Sequence, residues 1–185
     1  MKHLFLLLLL FKLSVPSFSE EKKQLNAARI KQSPKIDGVL EEEVWKNIPF
    51  ATDFIEKEPR PGGAAKYKTE VKIIYDDNAI YIGATMYYNS PDSILCELCQ
   101  RDNEANADLF GLVLDTYNDD INAYGFFTTS AGVQIDARYS SNGQDFNWNA
   151  VWQSQVKINE KDGLLNLKYL FLLYDSQIYL FKTGA

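Results

Sequence analysis

Residues 108–152, DLFGLVLDTYNDDINAYGFFTTSAGVQIDARYSSNGQDFNWNAVW, decide how this chain folds. Phe110, Leu112 and Leu114 share one side of an extended segment. So do Tyr124 and Phe126, and then Val133, Ile135, Ala137 and Tyr139. A period of two is the signature of strands that bury one face. The runs are separated by stretches dense in Asp, Asn and Gly, whose side chains or φ freedom close turns. The block reads as three or four strands with polar, aromatic-bearing loops. A scaffold of that kind recognises a ligand: its loops can hold calcium or present rings to a sugar.

The same pattern continues outward. Val71, Ile73 and Tyr75 alternate against Glu70 and Lys72, Asp76-Asp77-Asn78 turns the chain, and Ile80, Ile82, Ala84, Met86 and Tyr88 return on one face. This is a hairpin with an inward side. In Trp152–Ile158, the residues Trp152, Val156 and Ile158 oppose Gln153, Gln155 and Lys157. Toward the N-terminus, Ala27–Ile30 reads as a short strand and Ile36-Asp37-Gly38 as a turn. Leu40–Trp45 reads as one helical turn that seats Trp45 in the core. Trp152 reads as core as well. No long amphipathic helix is written in the chain. The predicted fold is all-β, an antiparallel, jelly-roll-like β-sandwich with one short helical turn near residues 41–45.

Residues 1–19 carry a different message. Lys2 and His3 precede an apolar run from Leu4 to Phe11, and Ser17 and Ser19 fit a cleavage site before Glu20. The run is too short to span a membrane. An exported protein is expected, in the periplasm, cell envelope or extracellular space. Loss of Lys2 and Lys12 with this signal peptide leaves 17 basic against 25 acidic residues, so the formal charge moves from −6 to −8. That balance disfavours nucleic acid and anionic membrane surfaces and leaves neutral glycans and divalent cations as partners. Cys96 and Cys99 form a lone C-x-x-C. The only histidine, His3, lies in the leader, so a structural zinc site lacks its second ligand pair. The cysteines read as structural, bridged locally or not.

Four blocks in order then become specific: KIDGVLEEEVW at 35–45, EVKIIYDDNAIYIGATMYY at 70–88, ADLFGLVLDTYNDDINAYGFFTTSAGVQIDARY at 107–139 and DFNWNAVWQSQVKI at 145–158. Together they resemble the family 9 carbohydrate-binding module, in the version found at the N-terminus of cell-envelope proteins that continue into an outer-membrane barrel. The resemblance covers residues 20–163 and implies a sugar-binding sandwich. It stops there. Relatives follow the Trp152 strand with a strand bearing a Trp and a Glu, then an Ile-Pro pair and an Arg-Phe, none of which residues 164–185 keep. That atypical tail, LLNLKYLFLLYDSQIYLFKTGA, reads in three ways: a buried strand pair, half of a membrane hairpin, or the product of a truncated or shifted frame after about residue 163. The missing pattern favours the last.

Several loop residues are candidates for chemistry. Asp115, Asn118, Asp119 and Asp120 offer carboxylates and turn carbonyls to a structural calcium ion, which takes six to eight oxygens. Asp102, Asn103, Glu104, Asn106 and Asp108 form a second acidic cluster, expected near the first. Trp148 and Tyr117 lie beyond their apolar strand patterns, and with Asn147 and Asn149 they are the candidate carbohydrate-binding residues. Flat rings stack on a pyranose while amides orient its hydroxyls. The competing reading of Trp148 is that it packs its loop onto the sandwich. Gln134, Asp136 and Arg138 are expected on the solvated outer face of their strand.

Glycoside hydrolysis requires two carboxylates across a cleft, one of raised pKa. The sequence shows neither an apolar carboxylate setting nor a nucleophile elbow. The expected function is therefore non-catalytic binding of a glycan or oligosaccharide in the service of carbohydrate breakdown, beside a catalytic or barrel domain outside this chain. An interaction domain of an envelope barrel protein without a working sugar site is the alternative. A hydrolase acting on O-glycosyl bonds is the weaker one.

Overall fold

A computed structural model describes residues 23–161 and 164–174. The strands are β1 (Ala28–Arg29), β2 (Phe50–Ala51), β3 (Thr69–Tyr75), β4 (Ala79–Tyr88), β5 (Leu109–Leu114), β6 (Ala123–Thr129), β7 (Gln134–Ser140), β8 (Gly143–Asp145), β9 (Trp152–Lys161) and β10 (Leu164–Tyr174). One sheet runs β1-β3-β4-β10-β9, with β2 also on β3, and the other runs β5-β6-β7-β8. All pairings are antiparallel except β1 with β3, where Ala28 lies beside Ile74 in parallel. This is the predicted β-sandwich, and the predicted helical turn is a 3-10 turn at Glu43–Trp45.

The larger sheet is buried on both faces. Its inner face sends Val71, Ile82, Ala84 and Tyr88 against Phe126 of the smaller sheet, with Trp152 beside them. On its outer face Ile74, Ala79 and Tyr81 pack with Trp45, and Ile36 and Leu40 of the N-terminal segment close over them. Gly83 makes room for this layer: a Cβ there would stand 2.6 Å from Leu40 Cδ2 and 3.2 Å from the Trp45 ring. Lys72 Nζ ties the turn down by donating to the Trp45 carbonyl at 2.9 Å. The three-layer arrangement corrects the simple alternation on β3. Tyr75, expected inward with Val71 and Ile73, is exposed, while Ile74 on the opposite side is fully buried.

β7 requires a larger correction. Gln134 and Asp136 do not face solvent on the outer side, whereas Arg138, on the same face near the end of the strand, is exposed. Asp136 is the cross-strand partner of Phe126, so its side chain shares the inner face, and it is 0% exposed. Gln134 Nε2 donates to Ser154 Oγ of the opposite sheet at 3.0 Å. Val133, Ile135 and Ala137 are buried as well, on the other side of the same strand. There the Phe127 ring spreads over Gly111 and Gly125, where any Cβ would collide with it at 2.0 and 2.6 Å.

β10 occupies an interior place in the larger sheet. Leu167 lies beside Met86 of β4 on one side and Ile158 of β9 on the other. The expected signal peptide, residues 1–19, lies outside the described residues, as do residues 175–185 of the atypical tail. Cys96 and Cys99 are unbridged. Cys96 pairs through its backbone with Ala107, and the Cys99 thiol donates to the Asn103 carbonyl at 3.1 Å.

Candidate functional site: an aromatic hollow at the β5–β6 loop

The β5–β6 loop is organised by its own carboxylates. Asp115 Oδ1 accepts the N–H groups of Tyr117 (3.1 Å) and Asp119 (3.3 Å), and its Oδ2 accepts that of Asp120 at 2.8 Å. Asp119 Oδ1 accepts from Ile121 at 2.9 Å and Asn122 at 2.7 Å, and Oδ2 takes the Asn122 amide. Hydrogen bonds from the Asn122 backbone and side chain, then from Ile121, hold Asp119 below the usual carboxylate range. Asn118 and Asp120 sit at φ of 53° and 56°, a conformation that Asn and Asp tolerate better than most residues.

These carboxylates brace a turn and do not converge on a point. Among the described residues no three His, Cys, Asp or Glu side chains are grouped to hold a metal ion. The second acidic cluster does not join them. Asp102 Oδ1 accepts the Asp136 N–H, and Asp108 Oδ2 accepts the Tyr88 hydroxyl at 3.0 Å and the Leu95 N–H. Asp108 and Asp115 lie at opposite ends of β5, roughly 20 Å apart at the strand rise per residue. The arrangement does not fit a calcium cage. Millimolar calcium is expected to leave the melting temperature where EDTA leaves it. A bound ion at a hundredfold excess over its Kd would instead add about 2.7 kcal/mol and a clear upward shift.

The 145–151 loop is pinned from below. Asp145 Oδ1 accepts the Asn147 N–H at 3.1 Å, Asn149 Nδ2 donates to the Asn147 carbonyl, and the Ala150 N–H reaches Asp136 Oδ2 at 2.5 Å. Asn147 and Asn149 point outward and are exposed. Trp148 is half-buried. Its ring lies 4.9 Å from that of Tyr124 and meets Phe126 edge-on at 6.1 Å. Trp148 thus packs its loop onto the sandwich, the plainer of the two readings of this residue.

Beside it opens a hollow of about 440 Å³ lined by Tyr117, Asn122, Ala123, Tyr124, Arg138, Tyr139 and Ser140. Tyr117 stands at its mouth, 55% exposed. Burial first, and then the neighbouring Tyr117 phenol, raise the Tyr124 pKa. Arg138, the cross-strand partner of Tyr124, pairs with Asp145 Oδ2 at 3.3 Å. The structure therefore joins Tyr117 to Trp148 through Tyr124, while Asn147 and Asn149 are not in the lining. Tyr124, Asn122 and Arg138 were missed because Tyr124 reads as core and Arg138 as a solvated face. The signal available was their place at the strand ends flanking the Tyr117 loop. A ring, a guanidinium and an amide around one concavity can stack on a sugar ring and bond its hydroxyls.

No protein-family model and no curated protein matches the sequence. Solved structures do match in fold. A protein from Bacteroides uniformis ATCC 8492, provisionally assigned as carbohydrate-binding, superposes with a TM-score of 0.56 at 13% identity, over 85% of this chain and 75% of that one. A family 9 carbohydrate-binding module from Caldicellulosiruptor kristjanssonii, in complex with cellotriose, superposes with a TM-score of 0.46 at 17% identity, over 80% of this chain and 68% of that one. The likeness is one of fold.

Proposed function

We propose that this chain is an exported, non-catalytic carbohydrate-binding domain that takes a glycan unit in the Tyr117–Tyr124–Arg138 hollow. The observation carrying this reading is the convergence of an exposed ring, a second tyrosine and the Arg138 guanidinium on one concavity, in a fold shared with a protein provisionally assigned as carbohydrate-binding. Trp148 supports the hollow from behind. The domain would serve carbohydrate breakdown by holding substrate near a catalytic or barrel domain outside this chain. The carboxylates with shifted acidity, Glu56, Glu70, Asp76 and Asp119, are all shifted down, the wrong direction for a general acid.

A glycan array identifies the sugar, and retention on it tests the site. Tyr117→Ala is expected to weaken retention about tenfold or more, as for a central contact residue, with the fold intact. Trp148→Ala should weaken it as well, together with a lower melting temperature, because it removes the ring behind Tyr124. Unchanged retention in Tyr117→Ala would remove the hollow from consideration. The interaction-domain reading draws on a separate feature. β9, ten residues long, is the last strand in its sheet among the described residues, and a long sheet edge is a template for another strand.

A further inference from the structure

We propose that a second hollow, at the seam where β7 meets β9, is a binding subsite for an uncharged saccharide unit. It measures about 570 Å³ and shares no lining residue with the Tyr117 hollow. Arg101, Gln134, Gln153, Ser154 and Gln155 supply its polar groups, and buried Trp152 is among its lining residues. The volume is within the range of small-molecule sites.

The chemistry of the lining selects the ligand class. Each glutamine amide carries a donor and an acceptor side by side, as does a serine hydroxyl. Sugar hydroxyls need the same pairing. The one charged lining group is already compensated, since Arg101 Nη2 lies 2.5 Å from Asp136 Oδ1 and its Nε lies 3.5 Å from Asp102 Oδ2. An anion would find no uncommitted positive charge there. The wall is also set in place before any ligand arrives. Gln134 Oε1 accepts from Arg101 Nη1 at 2.6 Å, and its amide nitrogen donates to Ser154 Oγ at 3.0 Å. That bond uses Ser154 as an acceptor and leaves its hydroxyl proton to give. Groups held this way lose little freedom on binding.

The two hollows lie along one strand. Gln134 and Arg138 are on the same face of β7, about 13 Å apart at the strand rise per residue, with the pinned 146–151 loop above the Asp136 between them. A glycan chain or two chain ends engaging both would gain avidity from the second contact.

The subsite rests on the saccharide reading above, and the test separates the two. 15N-labelled protein is titrated with cellotriose and followed by NMR. The side-chain NH2 signals of Gln134, Gln153 and Gln155 are expected to move, and to keep moving in Tyr117→Ala. In the double variant Gln153→Ala/Gln155→Ala, both exposed positions, the Ser154 and Gln134 shifts should weaken about tenfold in apparent affinity while the Tyr124 and Arg138 shifts persist. Movement only around Tyr117, or seam shifts that vanish in Tyr117→Ala, overturns the second subsite alone. Seam shifts without any at Tyr117 uphold the subsite and overturn the first hollow. No shift anywhere overturns both.

Discussion

Removing Arg101 from the Asp136–Arg101 pair is expected to destabilise the domain by about 3 kcal/mol or more, with Arg101→Ala costing more than Asp136→Ala. The asymmetry follows from exposure. The Arg101 side chain is 41% exposed and Asp136 is 0% exposed. Without Asp136 the guanidinium rehydrates, and the main loss is the Ala150 N–H left without its acceptor, about 1–3 kcal/mol. Without Arg101 a buried carboxylate keeps the Ala150 N–H as its donor and loses its charge partner. Denaturant titration with an unchanged m-value would measure both. Equal losses, or losses under 1 kcal/mol, would contradict the role assigned to the pair.

Trp45→Ala is expected to cost about 3–5 kcal/mol, the range for emptying a large aromatic site in a core. Nothing can collapse into the gap cheaply. The site is floored by a sheet whose Gly83 has no side chain to extend, and roofed by Leu40 from the same short segment. Trp45→Phe should cost much less. It keeps most of the ring and removes a buried indole N–H that has no hydrogen-bond partner. A smaller loss for the alanine variant than for phenylalanine would mean that the N-terminal layer is not seated as described. Thermal melts resolve the two.

Much of the fold was legible because local pattern and global packing agree. The β3–β4 hairpin, the β5–β7 meander and the Trp45 turn all follow from periodicity and turn chemistry. The failures share one cause. Alternation identifies two faces of a strand but not what lies against each. Tyr75 and Ile74 exchanged places because a distant segment, residues 30–48, covers the second face of the sheet. Gln134 and Asp136 looked solvated because their compensating partners, Arg101 and Ser154, are remote in sequence. The site was half legible for the same reason. Tyr117 stands out from its pattern, whereas Tyr124 and Arg138 acquire their role only through cross-strand register. The polar loop around Trp148 suggested a presented ring, but Phe126 and Tyr124 draw it inward.

The interior position of β10 bears on how the protein is made. Synthesis runs from the N-terminus, so β4 and β9 leave the ribosome before the strand that must lie between them. Their mutual edges have no native partner until residues 164–174 emerge. The larger sheet therefore cannot be completed until β10 has been made. Two strand edges wait open, exposed to mispairing with a neighbouring nascent chain. That interval favours a chaperone that covers the two open edges until the last strand inserts.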